Sequence, residues 1–345
     1  KLDTLFSPMK IGSCEIPNRL VVPAMVTNYC NLEGTITERY LRYMEEKPAE
    51  LGLLITEDYC VQENRKGYTR IPGLWNDGQI EGNKDLTAAV HAHGSKIFCQ
   101  MYHPGRQVMP QSTFGLDLVA PSATTCPACQ GPARDMTIDE IATLVDDFGS
   151  AAGRAKEAGF DGIELHCAHG YLLAEFLSPA INRRVDQYGG CFANRVRIVD
   201  EIIVSMRERV GEDFPIIVRV SSDDLVPGGR TIAETCSYAA TWGGRFDAIN
   251  CSNGMYASKP TDQVIAPMFT PHAVNMDRCA LIKQVVNIPV ILSNRVNDPE
   301  MADTLLAMGT ADFVAMGRGS LADPHMPNKA KAGKTCTIRQ CIGCL

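Results

Sequence analysis

Two histidines three residues apart, His166 and His169, stand just ahead of Tyr171. They close a short apolar run (Gly162, Ile163 and Leu165 around Glu164) that reads as a buried strand. Imidazoles and a phenol therefore sit at a strand's carboxyl end, which is where active sites lie in a barrel of parallel strands. Such a pair can donate hydrogen bonds to a carbonyl, or it can hold a zinc ion. The spacing alone leaves both open. The segment after Tyr171 contains Pro179, Asn182, Arg183, Arg184 and Gly189-Gly190. It reads as a long irregular loop, of a length that usually serves function.

Other polar residues occupy matching places. Gln100 ends the run KIFCQM, and Arg219 lies inside the apolar run PIIVRVSS. A buried arginine needs an anionic or strongly accepting partner, supplied either by a ligand or by a structural salt bridge. Asn294-Arg295 and Gly317-Arg318 follow two late apolar runs. Free backbone N–H groups beside a guanidinium make a phosphate site, and barrels often place one after strands seven and eight. Surface arginines are the plainer reading of each. A polar ring carrying a phosphate tail would use Gln100 on a heterocycle edge, Arg219 on its electron-rich side and Arg318 on the tail. FMN has that shape, and a nearby cation would stabilise its reduced ring.

The elements that must position these groups alternate. KIGSCEIPNR suggests a hairpin before the main fold. Strands are expected at 19–25, 51–56, 96–101, 162–165, 215–220, 247–252, 288–293 and 312–316. Helices are expected at 37–46 (with Thr37 as N-cap), 77–93, 137–158, 192–210, 231–242, 276–286, 298–308 and 320–331. Residues 57–76 and 110–132 read as loops. Eight apolar strands alternating with helices, and no G-x-G-x-x-G after the first, call for a closed (β/α)8 TIM barrel rather than an open dinucleotide-binding sheet. The barrel spans 1–335, and a Cys-rich segment begins at 336–345.

A 45% hydrophobic content over 345 residues is ample for one large core. The net charge of −7 argues against nucleic acid or an anionic membrane as partner. No run of 18 apolar residues occurs and the first residues lack an apolar signal core, so a cytoplasmic protein is expected. A homo-oligomer is expected too. Fourteen cysteines include two C-x-x-C pairs, Cys126/Cys129 in a Pro-rich loop and Cys341/Cys344 one residue before the end. An iron–sulfur cluster needs about four thiolates, so the second pair reads as half of a set.

As a set, LFSPMKIGSCEIPNR, VVPAM, ITED, CQMYHPGRQ, ELHCAHGYLLAEFLSP with DQYGG, VRVS, and NRVNDPE with MGRGSLADP resemble the Old Yellow Enzyme superfamily. The similarity is to its branch of NADH:flavin oxidoreductases, which includes 2-enoate and 2,4-dienoyl-CoA reductases, and it covers essentially the whole chain. The resemblance implies FMN in the barrel mouth, with Gln100 and Arg219 on the pyrimidine edge. Pro23, Ala24, Met25 and Val26 would line the ring, and Asn294, Arg295, Gly317 and Arg318 would hold the phosphate. It further implies that His166 and His169 bind the substrate carbonyl, that Tyr171 donates a proton, and that Tyr256 contacts substrate. Cys341 and Cys344 would begin a 4Fe–4S site, with FAD- and NADH-binding domains following in the full-length protein. The implied substrate is a small enone or enoate, with NAD(P)H as reductant. Val26 stands where relatives often place Cys or Thr, and Tyr256 where dienoyl-CoA reductases have His; the second departure favours a 2-enoate or enone over a dienoyl-CoA. Alternatives are a metal-dependent hydrolase using His166 and His169, and a non-catalytic electron-transfer subunit.

Overall fold

The computed structural model describes residues 1–108, 112, 115, 117–258 and 264–344. Eight parallel strands close into a barrel: β1 (Leu20–Val22), β2 (Leu53–Cys60), β3 (Lys96–Tyr102), β4 (Gly162–Cys167), β5 (Ile216–Ser221), β6 (Ala248–Ser252), β7 (Val290–Leu292) and β8 (Phe313–Ala315). The last strand pairs with the first, Val314 opposite Leu20, which completes the ring. The expected architecture is the one found.

Each strand alternates between two cores, because successive side chains point to opposite faces. Leu20, Ile97, Ile163, Val218, Ile249 and Val314 face the helices. Val21, Leu53, Phe98, Ile217, Ile291 and Phe313 fill the barrel's lower interior. Gly162 is required there, since a Cβ on it would lie 2.7 Å from the Phe98 ring. The expected hairpin forms from Met9–Ile11 and Cys14–Ile16. Its Ile11 and Ile16 join the interior cluster and plug the amino-terminal end of the barrel.

The helices are α1 (Glu38–Glu45), α2 (Ile80–His91), α3 (Ile138–Glu157), α4 (Leu172–Leu177), α5 (Phe192–Val210), α6 (Ile232–Trp242), α7 (Met276–Gln284), α8 (Pro299–Ala307), α9 (Gly317–Ala322) and α10 (Met326–Lys331). Thr37 caps α1 as expected, accepting from the Tyr40 amide. Thr137 and Glu140 form a reciprocal capping box on α3. Among the described residues, no helix is long and apolar enough to cross a membrane.

The sequence expectations need four corrections. Strand β2 runs to Cys60, four residues into the expected loop, with a register shift between Ile55 and Asp58. Charged Glu57 and Asp58 hide its continuation. Residues 110–132 include positions outside the described residues, but Leu118–Ala120 and Thr124–Thr125 pair with Pro132–Asp135 in a small sheet. This short polar sheet breaks the expected strict alternation of strand and helix. The segment after Tyr171 begins with helix α4 rather than loop. The expected last helix is two, α9 and α10, interrupted around Asp323, whose backbone is extended.

Candidate active site

The upper barrel interior is polar. On β3, β4, β5 and β6 the inward positions one step above the apolar layer are Gln100, Glu164, Arg219 and Asn250, all buried. Glu164 accepts from Gln100 Nε2 at 2.6 Å and from Asn250 Nδ2 at 2.7 Å. The Ser293 hydroxyl donates to Asn250 Oδ1 at 2.8 Å. Register sets Arg219 beside His166 and Asn250. The β2 irregularity turns Asp58 opposite Gln100 and into the cavity. Burial raises the carboxyls of Asp58, to about 8, and Glu164, and Arg219 opposes both shifts. The arginine that the sequence left without a partner thus faces two buried carboxyl groups.

Burial first, and the Arg219 charge second, hold His166 and His169 well below the usual imidazole range. Both rings are neutral at working pH. The Ala168 amide donates to His166 Nδ1 at 3.2 Å, so the His166 proton sits on Nε2. His169 adopts a left-handed backbone (φ 64°). Its amide donates to Ser221 Oγ at 2.9 Å, and its carbonyl accepts from Gln107 Nε2 at 3.1 Å. Its Nε2 lies 2.7 Å from Ser252 Oγ, which fixes the ring. The two imidazoles stand edge to face with centroids 5.0 Å apart, and Tyr171 stands 5.1 Å from His166.

Tyr171 begins α4, and burial leads the causes that push its phenol well above the ordinary range, so it stays protonated. Its hydroxyl is 3.3 Å from that of Tyr68, and its ring is 6.0 Å from Tyr256. Tyr102 closes the group at 5.2 Å.

On the far side of the cavity, Asn294 and Arg295 are consecutive non-glycine residues at positive φ (86° and 58°), a conformation that costs energy for L-residues. Arg295 Nη1 donates to the Pro267 carbonyl, and Arg318 Nη2 to Ala266 O at 2.6 Å. Burial lowers the Arg318 pKa, and the nearby charge of Arg295 adds to this. Among the described residues neither guanidinium is in an ion pair with a carboxylate. Two cations in this position suit an anion with more than one charge. Gly317 closes the wall; a Cβ there would lie 3.0 Å from Met25 Sδ and 3.2 Å from Pro23 Cγ.

Asp58, Gln100, Arg219, the two histidines, Tyr171 and the phosphate-side residues line one cavity of about 450 Å³, well inside the size range of ligand pockets. Every site residue named from the sequence lines it except Cys344; Cys341 lies at its edge. The sequence missed Asp58, Tyr68, Ser293 and the 264–266 wall. Asp58 lies in ITED, where its charge reads as the start of a loop. Four cavity-lining polar atoms are buried without a hydrogen-bond partner among the described residues: Gln100 Oε1, Arg219 Nε, Arg295 Nε and Arg318 Nη1. Such atoms call for a ligand. An acceptor and a guanidinium at one end and two guanidiniums at the other fit a flavin heterocycle with a phosphate tail. A metal centre fits less well, because no three His, Cys, Asp or Glu groups cluster as ligands among the described residues.

A family model described as "NADH:flavin oxidoreductase / NADH oxidase family" matches residues 4–336. The chain is 43% identical over 346 residues to the NADH oxidase of Thermoanaerobacter brockii, covering 99% of this chain and 52% of that protein. It is 32% identical over 363 residues to the cinnamate reductase of Clostridium sporogenes, covering 99% and 54%. Among solved structures, a 2-naphthoyl-CoA reductase in complex with 2-naphthoyl-CoA superposes with TM-score 0.95 at 28% identity, over 100% of this chain and 54% of that one. The chain spans about half the length of these relatives.

Proposed function

The chain belongs to the NADH:flavin oxidoreductase / NADH oxidase family, and on that basis we propose that it is the FMN-binding, ene-reducing barrel of a larger NAD(P)H-dependent oxidoreductase. The observation that carries the reading is the convergence of partnerless Gln100, Arg219, Arg295 and Arg318 atoms on the cavity that His166, His169 and Tyr171 overlook. Gln100 and Arg219 hold the ring edge, residues 23–26 its face, and Arg295 with the backbone at Asn294, Gly317 and Arg318 the phosphate. Bound FMN supplies hydride to the β-carbon of an activated alkene.

The chain's own groups do the rest. His166 presents Nε2–H to the substrate carbonyl and His169 flanks it, so negative charge developing on that oxygen meets donors already in place. Tyr171, kept protonated by burial, gives its proton to the α-carbon. Tyr256 lines the same space and contacts substrate. The Arg219 charge favours the ionised forms of Asp58 and Glu164, and the buried tyrosines exclude water. The substrate class is a 2-enoate, an enoyl thioester such as an enoyl-CoA, or an enone such as a 3-oxo-4-ene steroid.

Cys341 and Cys344 would supply two thiolates of a 4Fe–4S cluster whose other ligands would come from the rest of the full-length protein, as would the FAD and NAD(P)H sites. Residues 1–335 form the barrel, and 336–345 open the cluster segment. The position of Cys341 at the cavity edge, near Arg318, supports an electron path from that side.

The test is spectral and then chemical. The purified chain should carry flavin bands near roughly 375 and 450 nm. Supplied anaerobically with an artificial reductant, it should reduce members of a panel of enoates, enoyl-CoAs and 3-oxo-4-ene steroids. A colourless protein overturns the flavin; flavin without alkene turnover overturns the reductase.

A further inference from the structure

The first C-x-x-C pair is left unused by the barrel's chemistry. Cys126 and Cys129 occupy one turn between the short strands Thr124–Thr125 and Pro132–Asp135. The Gln130 amide donates to the Cys126 carbonyl at 2.7 Å, the Cys126 amide donates to the Gly131 carbonyl at 3.2 Å, and Gln130 sits at φ 58°. That closed turn holds both cysteines on one loop. The Cys129 amide also points at Cys126 Sγ, 3.4 Å away. Arg106 lies beside the turn, its Nη1 on Thr124 Oγ1 at 3.3 Å and its Nε 3.4 Å from the Glu175 carboxylate.

Cys126 is fully buried, yet its environment is the opposite of that around the other buried thiols. Burial pushes Cys30, Cys60, Cys99 and Cys167 up. Cys126 is pushed down to about 6, first by the hydrogen bond from Cys129 and then by the Cys129 and Ala128 amides and the Arg106 charge. Cys129 moves up in exchange, mainly through the same bond. Cys129 is partly exposed, and Pro127 and Ala128 between the two are exposed.

We propose that Cys126 and Cys129 form a reversible dithiol–disulfide pair that exchanges with low-molecular-weight thiols and disulfides. Cys129 is the sulfur an external disulfide RSSR can reach; the two sulfurs share one proton, and Cys129 attacks as the thiolate when that proton sits on Cys126. Cys129 Sγ attacks one sulfur of RSSR, its proton passes to the Cys126 thiolate, and RS⁻ leaves. Cys126 Sγ then attacks Cys129 Sγ in the mixed disulfide, breaking its bond to SR and returning the proton to the departing thiolate. The pair is oxidised by two electrons, and RSSR is reduced to RSH and RS⁻. Two cysteines closed into one C-x-x-C turn have the spacing of redox-active dithiols.

The native chain, incubated with excess oxidised glutathione at neutral pH, is acid-quenched, alkylated, digested and weighed by mass spectrometry. The peptide carrying both cysteines should be unalkylated and lighter than its reduced form by two hydrogens. Dithiothreitol should restore two alkylation sites. Exposed Cys191 and Cys336 should show only alkylation or a single glutathione. In Cys126→Ser, glutathione should remain trapped on Cys129. The wild-type measurement stands without that variant should it fold poorly. Two alkylated cysteines after oxidation of the native protein, or a disulfide formed only in urea, would overturn the assignment.

Discussion

Arg219 is the residue whose removal tests the site most sharply. It points into the barrel from β5, 8% exposed, with Nε unpartnered and the carboxyls of Asp58 and Glu164 beside it. Arg219→Met removes the one charge that favours ionisation of both carboxyls. Breaking a buried charge set costs about 3–5 kcal/mol. Asp58, with its pKa already near 8, escapes part of this at pH 7 by staying protonated, so the lower end, about 3 kcal/mol, is expected. With a urea m-value of about 3 kcal/mol/M, the apoprotein midpoint falls by about 1 M. Arg219→Lys keeps the charge and should keep most of that stability. Both variants lose the guanidinium edge. A hydrogen bond from a charged group contributes about 1.5–3 kcal/mol, so the FMN dissociation constant rises about 10- to 150-fold, at a factor of ten per 1.4 kcal/mol. Titrating FMN with apoprotein and following flavin fluorescence measures the second effect; circular dichroism in urea measures the first. Wild-type FMN affinity in Arg219→Met would refute the placement of the ring. A Lys variant as unstable as the Met variant would refute the electrostatic account.

Tyr171→Phe should leave FMN binding intact and slow alkene reduction by about 10²–10⁴-fold, the range of a general acid, as read by anaerobic stopped-flow; unchanged turnover sinks the donor role. Tyr68→Phe removes a neutral hydroxyl contact to Tyr171 and should cost no more than about tenfold in the same step. Gly317→Ala should push Met25 and Pro23 by a few tenths of an ångström and weaken FMN binding while the apoprotein's circular dichroism stays native. Asp58→Asn should stabilise the apoprotein at alkaline pH and change little at pH 4. The native pKa of Asp58 is raised to about 8, so the stability this group contributes is present at low pH and is lost as pH rises toward 8. Urea midpoints measured from pH 4 to 9 should therefore converge at the acid end, and a gap that is instead largest at pH 4 would reverse the sign and the argument.

The sequence by itself determined the barrel and most of its mouth. Strands buried on both faces leave unbroken β-branched runs, and the helices between them carry amphipathic spacing and recognisable caps such as Thr37 and Thr137. Eight such units admit little but a closed ring, and the ring gathers every strand's carboxyl end in one place. That is why His166, Tyr171, Arg219 and Arg318, far apart in the chain, could be grouped before any coordinates. The tertiary structure decided what those residues meet. Asp58 reads as the start of a loop until the register shift of β2 carries it inside the barrel. Glu164 reads as one polar residue in an apolar run; only closure turns it toward Gln100, Asn250 and Arg219 together. The left-handed backbone of Arg295 is likewise invisible in a residue type that rarely adopts it. Local sequence reports which face of an element is apolar, whereas the partner of a buried charge is chosen by chain segments tens of residues away, and only their packing reveals it.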